Sequence, residues 1–375
     1  MKTVRRLLHR EVLRTVAFVL LGFLSLFAFF DLVDELQTLN RLGAVGYRLQ
    51  HALLYVTLKS PTHIYELMPI SVLIGSIFVM ARLAQSSEFT ILRTGGLGPW
   101  RALLVLLQVG LVFVSLTFVL GDYVAPFTDK QAQLLKARFQ GAISVGQTGA
   151  WLKEKQGDHQ FAINVRALDG TEILRDVRIH EFNGQGHLLR VIRAESASMA
   201  NGAWELQNVS TQNLQQVSGN SDPAASSLAA QLQPRKAQTL SWPTGITSAM
   251  VASALLSPDR MRTVDLYIYM RHLNANKQNA QVYEIEFWRK VFYPISCLVM
   301  LSLALPFAYL HFRSGQIAGH VFAGVLAGIS FALLNNVFGY MGALSEWTPW
   351  LTAAAPALMY SLVSLGTFWW LVLRR

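Results

Sequence analysis

Six long apolar runs constrain the fold of this chain more than any other feature. A helix that crosses a lipid bilayer needs roughly 20 mostly apolar residues. The runs cover residues 15–35, 64–82, 102–121, 291–311, 316–339 and 350–373. The third, fourth and sixth contain no charged residue. We therefore predict an α-helical membrane protein with six transmembrane helices.

Composition supports a membrane protein and argues against a nucleic-acid partner. Only 14% of the residues are charged, against about 25% in soluble domains. The net charge of +10 is not carried by a basic cluster interleaved with aromatic residues, which a nucleic-acid surface would show. The single cysteine, Cys297, lies inside an apolar run and indicates packing without an internal disulfide.

The first apolar run follows an arginine-rich segment, as in a signal peptide. It is too long for one, and it continues into "FFDLVDEL" without a small-residue cleavage site. We interpret it as an uncleaved first span.

Basic residues in short loops predict the orientation, because cytoplasmic loops are enriched in lysine and arginine. With six spans, four basic segments fall on one side: the N-terminus, loop 82–101, loop 311–320 and the C-terminal Arg374-Arg375. Both termini are then cytoplasmic, and the long segment 123–285 is periplasmic.

The segment from about 140 to 245 changes from apolar runs to alternation. In "FAINVRA", Phe161, Ile163 and Val165 share one face, and Asn183-Gly184 is one of several turn signals. This pattern predicts an inserted all-β domain, a sandwich or a jelly roll. The predicted boundaries are 1–122 for spans one to three, 123–285 for the β domain with flanking helices, and 286–375 for spans four to six.

The segment "LSPDRMRTVDLYIYMRHL" predicts a helix before the fourth span. Ser257 would be its N-cap, Pro258 would lie in its first turn, and Asp259 would face the positive end of its dipole. We expect it to lead into a long helix that becomes the fourth span.

The loop between spans two and three predicts a short amphipathic helix near 86–95. Ser86 or Ser87 would cap it, and Gly95 would end it. Its residues of interest are Glu88 in the first turn, Phe89, Ile91 and Leu92 on an apolar side, and Arg93 one turn beyond Phe89. A helix of two turns is marginal alone, so either lipid headgroups or a groove in a cytoplasmic partner should hold it.

No motif for covalent chemistry is present in the sequence. It lacks a G-x-x-x-x-G-K-[ST] phosphate loop, an H-E-x-x-H pair and a nucleophile with a base. We therefore expect no catalytic residue, cofactor or metal. Two functions remain: a permease, or a membrane-anchored periplasmic assembly or adaptor protein that transports nothing.

Several stretches resemble the lipopolysaccharide export permeases, the LptF/LptG family, and more closely the LptG branch. They are "FDLVDEL", "AQSSEFTILRTGG", "GDYVAPFTDKQAQLLKAR", "LSPDRMRTVDLYIYMRHL", and "FWRKVFYPISCLVMLSLALPFAYL" followed by "RSG". Their order, with a β domain after span three, is more specific than any single piece. The resemblance covers nearly the whole chain.

This resemblance implies partners and a cargo. The partners are a paralogous LptF-like permease subunit, a cytoplasmic ATPase dimer that docks the short helix, and a single-span LptC-like periplasmic bridge protein. The cargo is lipopolysaccharide, taken from the outer leaflet of the inner membrane and passed through jelly rolls. Glu88 falls on the family's coupling-helix glutamate position, and we place Phe89, Leu92 and Arg93 beside it in the ATPase contact. We also expect an open sheet edge near Phe161–Val165 for the transfer of lipid.

Charges on the periplasmic side are candidates for contact with the lipid phosphates. Lys136 falls on a basic position of the family's motif, whereas Arg138 and Arg41 rest on topology alone. Asp34 is either a solvated helix end or part of a cavity. The family's lysines near the outer end of span one are missing here, where the stretch reads "DLVDELQTLNRLG".

Span five carries a stripe of small residues that includes Gly324, Ala327 and Gly328. Small residues let membrane helices approach closely. The stripe either packs within the subunit or forms a lateral gate against the partner's first span.

Overall fold

The computed structural model describes residues 2–43, 46–140, 149–168, 173–200, 202–213, 234–247, 250–251, 258–309 and 317–370. The chain forms two compact units. A helical unit combines Met1–Arg41, Arg48–Asp129 and Gln281–Arg375, and a second unit contains Leu42–Tyr47 and Lys130–Ala280. Ser257, His311, Arg313, Arg374 and Arg375, which the sequence predictions used, lie outside the described residues.

The helical unit contains long apolar helices and several shorter ones. They are α1 (Lys2–Leu42), α2 (Leu49–Gln85), the short α3 (Glu88–Thr94), α4 (Pro99–Val119), α7 (Gln281–Phe292), α8 (Ser296–Ala304), α9 (Ile317–Leu344) and α10 (Pro349–Phe368). A π-helical turn, Leu120–Val124, joins α4 to α5 (Ala125–Gln140), and a 3₁₀ segment, Leu305–Tyr309, extends α8.

Five described helices are long and apolar enough to cross a bilayer, and the number is six when one bent pair of helices is counted as a single broken span, called the fourth span here. The bent pair is Gln281–Phe292 with Ser296–Tyr309, whose axes differ by 48°. The expected α-helical membrane class with a β insert is confirmed.

The expectation of one long helix leading into the fourth span is wrong. The chain turns at 293–295, between α7 and α8, because Pro294 has no N–H to donate to the preceding turn. Helix α6 (Thr263–Ala275), which precedes α7, is also separate from it, because α6 ends before α7 begins. Pro258–Arg260 forms a separate 3₁₀ turn, so α6 begins at Thr263 and its N-cap is Arg262.

The core of the helical unit centres on α2. Its residues Met68, Val72, Leu73 and Ile77 are each at most 1% exposed. They belong to one apolar cluster with the N-terminal part of α1 and with α4, α8 and α9. Since lipid tails are as apolar as leucine, this cluster is held by close packing between helices.

The second unit contains one antiparallel sheet of six described strands. They are β1 (Ala150–Gln156), β2 (His159–Leu168), β3 (Leu174–Phe182), β4 (Leu188–Ala200), β5 (Ala203–Asn213) and β6 (Arg235–Pro243). Each strand pairs with the next in sequence, so the described order is a meander. The all-β insert is therefore present.

Alternation along β2 produces the buried face, as the sequence predicts. Ile163 pairs with Leu152 on β1 and with Ile179 on β3, and all three are at most 1% exposed. The expected Asn183-Gly184 turn is present, and the Asn183 side chain accepts hydrogen bonds from the backbone N–H groups of Gln185 and His187. The segment Phe161–Val165 is not at an edge, because β2 pairs on both sides. Among the described strands, the edges are β1 and β6.

Candidate functional site

The short helix α3 lies between the second and third spans with one side buried. Phe89 is 2% exposed and belongs to the apolar core, and Leu92 packs against that core. Phe89 meets the Tyr309 ring edge-on, with the ring centroids 5.0 Å apart, and Arg93 lies over the same ring at 5.1 Å from its centroid. Phe89 and Leu92 of the predicted apolar side thus fix α3, whereas placing Ile91 on that side is wrong.

The opposite side of α3 is open. Ile91 is 67% exposed, and Glu88 is also exposed. Among the described residues, Glu88 has no hydrogen bond or ion pair. An exposed carboxylate beside an exposed large apolar side chain is suited to a protein groove with a basic residue at its rim.

The ends of α3 differ from the sequence prediction. Ser87 occupies the N-cap position with φ of 61°, but its side chain makes no capping hydrogen bond. The hydroxyl of Ser86 instead donates to the carbonyl of Leu83. Side-chain capping by either serine is therefore wrong.

The C-terminal end of α3 is closed by two glycines. Gly95 is the C-cap, and Gly96 follows in the left-handed region with φ of 96°. The N–H groups of Gly96 and Leu97 donate to the carbonyls of Arg93 and Leu92, which is the Schellman arrangement.

The predicted substrate-binding residues lie on two helices. Asp34 and Arg41 are both exposed on α1, and their spacing of two turns places them on one face. On α5, Lys136 is half-buried and Arg138 is exposed, and a spacing of two residues directs them to different sides. Arg41 belongs to the helical unit, whereas Lys136 and Arg138 belong to the other.

Sequence reasoning missed an ion cluster between α1 and α2. The Lys59 ammonium donates to Asp31 Oδ1 at 2.7 Å, and His63 Nε2 lies 2.6 Å from Asp31 Oδ2. The side chains of Asp31 and His63 are 11% and 10% exposed, and that of Lys59 is 31% exposed. The cluster therefore places a basic group of α2 beside a half-buried carboxylate of α1.

A signal for this cluster exists in the sequence. Lys59 and His63 are four residues apart inside an apolar helix, which places them on one face. Ionisable residues inside a membrane span are costly and usually pair with one another. Asp31, which lies on the preceding span, is the partner that this rule leads one to seek.

The small residues of α9 face α2 of the same chain. A Cβ atom at Gly324 would lie 2.6 Å from Ile77 Cδ1, and one at Gly328 would lie 2.9 Å from Ile70 Cγ2. The backbone carbonyl of Ala327 accepts a hydrogen bond from the Tyr360 hydroxyl of α10. These contacts favour packing within the subunit for the two glycines, and the lateral gate stays a prediction.

An apolar cavity of about 410 Å³ lies beside this stripe. Its walls come from α2, the end of the fourth span, α9 and α10, and they include Ile77, Phe307, Gly324, Ala327 and Met359. The end of the fourth span therefore contacts α3 through Tyr309 and lines this cavity through Pro306 and Phe307.

Comparison with known proteins gives a full-length match. The family model described as "Lipopolysaccharide export system permease LptF/LptG" matches residues 6–373. The chain is 26% identical over 379 residues to the lipopolysaccharide export system permease protein LptG of Escherichia coli strain K12, covering 99% of this chain and 98% of that protein.

The protein of the same name from Haemophilus influenzae is 25% identical over 377 residues, which cover 100% of this chain and 99% of the relative. The order of elements agrees with this likeness: three apolar spans with a short helix after the second, an inserted antiparallel sheet, and three further spans. The chain therefore belongs to the LptF/LptG family of lipopolysaccharide export system permeases.

Proposed function

We propose that this chain is the LptG-type permease subunit of an ATP-driven exporter. It takes lipopolysaccharide laterally from the outer leaflet of the inner membrane and passes it to a periplasmic bridge. Membership of the permease family and the apolar helices make it a multi-pass protein of the inner membrane. ATP hydrolysis belongs to a cytoplasmic ATPase dimer, and a paralogous LptF-like subunit completes the cavity.

The observation that most supports ATP coupling is the two-sided character of α3. Its buried side is fixed to the core through Phe89, and its exposed side presents Glu88 and Ile91. The chain has no nucleotide-binding motif of its own. A helix that is fixed to the core on one side can transmit movement from a partner bound at its exposed side. A helix that only lies on lipid headgroups does not need the ring of Phe89 to be buried in the core.

The lipid phosphates are bound, on this proposal, by periplasmic basic groups. Lys136, Arg138 and Arg41 remain the sequence-based candidates, and Asp34 shares the face of Arg41. Lys59 is a further candidate for contact with the lipid phosphates, because its ammonium is partly exposed beside Asp31. Charge-assisted hydrogen bonds from lysine or arginine suit phosphate oxygens.

The β domain passes the lipid on through a sheet edge. Backbone groups at an unpaired edge allow strand addition by a neighbouring β protein. Because β2 is interior, the bridge protein would join at β1 or β6, the edges of the described sheet.

Reversing the charge at Glu88 tests the coupling. Glu88→Lys should abolish co-purification of the ATPase or reduce transport by roughly tenfold or more, since a charged contact becomes repulsive at the partner's basic rim. The measurement is lipopolysaccharide release and bound ATPase for the complex purified from native membrane, with lipid and partner chains identified by mass spectrometry. Normal transport by Glu88→Lys would show that the coupling proposal is wrong.

A matched control separates coupling from the effect of charge. Glu205→Lys reverses an exposed carboxylate on β5, a strand paired on both sides, and should leave transport unchanged. If neither an ATPase nor lipopolysaccharide accompanies the native protein, the alternative holds: a membrane-anchored adaptor without transport activity.

A further inference from the structure

The end of the fourth span contacts α3 through the ring of Tyr309. Tyr309 closes the 3₁₀ segment Leu305–Tyr309 and is 8% exposed. Phe89 and Arg93 contact this ring by its edge and its face, at centroid distances of 5.0 and 5.1 Å. Because the two residues are four apart, they occupy one side of α3, and Tyr309 thereby contacts both of its turns.

Helix α3 depends on such contacts. It has seven residues, too few for a helix to be stable alone in water. Its N-cap lacks a side-chain hydrogen bond. Tertiary packing must therefore fix the position of α3, and Phe89 and Arg93 make their ring contacts with a residue of the fourth span.

We propose that Tyr309 is the positioning residue that joins α3 to the end of the fourth span, so that the two move as one body when the ATPase acts. This inference rests on the proposed function. The same 3₁₀ segment lines the apolar cavity through Pro306 and Phe307. Movement of α3 would therefore reach the cavity wall beside α9 through this short segment.

The ring of Tyr309, and not its hydroxyl, makes this connection. Within the described part of the chain, the buried Tyr309 hydroxyl oxygen has no hydrogen-bond partner. Tyr309→Phe keeps both ring contacts and should preserve coupling. Tyr309→Leu keeps an apolar but smaller side chain, and it loses the edge contact with Phe89 and the cation–π contact with Arg93.

The first test measures lipid released per ATP hydrolysed by the complete complex in proteoliposomes. We expect Tyr309→Leu to lower this ratio by roughly tenfold, because an aromatic pair and a cation–π contact are lost together, while ATP hydrolysis continues. Tyr309→Phe should keep the wild-type ratio. An unchanged ratio in Tyr309→Leu overturns the proposal.

Phe368→Leu is the matched control. Phe368 is 4% exposed, lies in the same apolar core, and meets Trp100 edge-on at 5.5 Å. Within the described part of the chain, the Phe368 ring makes no ring contact with α3. Phe368→Leu should therefore reduce thermal stability without changing lipid release per ATP. An equal loss of coupling in Phe368→Leu would mean that any damage to the core uncouples the complex, which also overturns the proposal.

A second test reads the movement without any lipopolysaccharide. In a Cys297→Ser background, spin labels are attached through Thr90→Cys on α3 and Ile295→Cys in the fourth span, two exposed positions outside the proposed ATPase contact. The distance between the labels should be the same with and without trapped nucleotide, and should change with nucleotide only when Tyr309→Leu is added. A nucleotide-dependent distance in the unmodified Tyr309 protein contradicts the inference.

The two tests fail separately. A wild-type complex that hydrolyses ATP but moves no lipopolysaccharide would refute the proposed function, and the label distances would still decide the role of Tyr309.

Discussion

The first two spans are both strongly apolar but lie in opposite environments. In each helix we compare the most apolar stretch of 18 residues. This stretch is 6% buried in α1 and 78% buried in α2, although the α1 stretch is the more apolar. Residues such as Phe18 and Leu21 of α1 are 77% and 63% exposed, whereas Leu73 of α2 is completely buried. Apolar character alone therefore does not say which span forms the interior.

The difference has a physical cause. Lipid tails are as apolar as leucine side chains, so burying an apolar face brings no hydrophobic gain inside a membrane. What selects the interior helix is close packing and polar pairing. Helix α2 has both, and it packs closely on two sides. A Cβ atom added at Gly75 would lie 2.8 Å from Val16 of α1, and Cβ atoms added at Gly324 and Gly328 of α9 would lie 2.6 and 2.9 Å from Ile77 and Ile70 of α2. Lys59 and His63 of α2 also pair with Asp31. The exposed face of α1 remains available to lipid or to a second protein.

The largest effect should come from truncating the interior helix. Leu73→Ala should destabilise the protein by about 2–4 kcal/mol, because it leaves a cavity in a packed core. Leu21→Ala on α1 removes the same atoms from an exposed site and should cost less than about 0.5 kcal/mol. Reversible unfolding in detergent measures both. Equal costs would mean that the exposed face of α1 is packed in the isolated protein, and the comparison would fail.

A smaller effect should come from filling the contact between α9 and α2. Gly324→Leu forces a side chain against Ile77 and should cost about 1–3 kcal/mol through overpacking. Gly319→Leu on the same helix is the control, since nothing lies within 4 Å of a Cβ there. The measurement is again unfolding in detergent. If Gly319→Leu proves the more damaging, the small residues of α9 do not serve the contact with α2.

The smallest effect should come from the acidic residues of α1. Asp31→Asn should cost about 1 kcal/mol, because the Lys59 ammonium and His63 lose a charged partner in a half-buried site. Asp34→Asn changes an exposed carboxylate three residues away and should be close to neutral. Thermal unfolding of the two variants compares them directly. If Asp31→Asn leaves thermal stability unchanged, the ion cluster of Asp31, Lys59 and His63 contributes nothing to stability.

Most of the architecture followed from local pattern. Run length predicted the six spans, alternation predicted the β insert, and the charged, glycine-ended segment predicted α3. Hydropathy does not reveal the break in the fourth span at Pro294, because the surrounding run is apolar throughout. The predicted sheet edge near Phe161–Val165 belongs to the neighbouring strand β1 and not to β2, because alternation identifies a strand without revealing its neighbours.

The sequence by itself determined which segments can leave water, which alternate as strands, and which short segment carries charge between two spans. These properties depend on residues close together in the chain, where helix and strand periods act. Only the tertiary structure decided that α2 is the interior helix, that Asp31 pairs across to α2, and that Tyr309 meets α3 from 220 residues further along the chain. Such pairings depend on how helices pack in three dimensions, and in an apolar solvent every span looks equally suited to the outside.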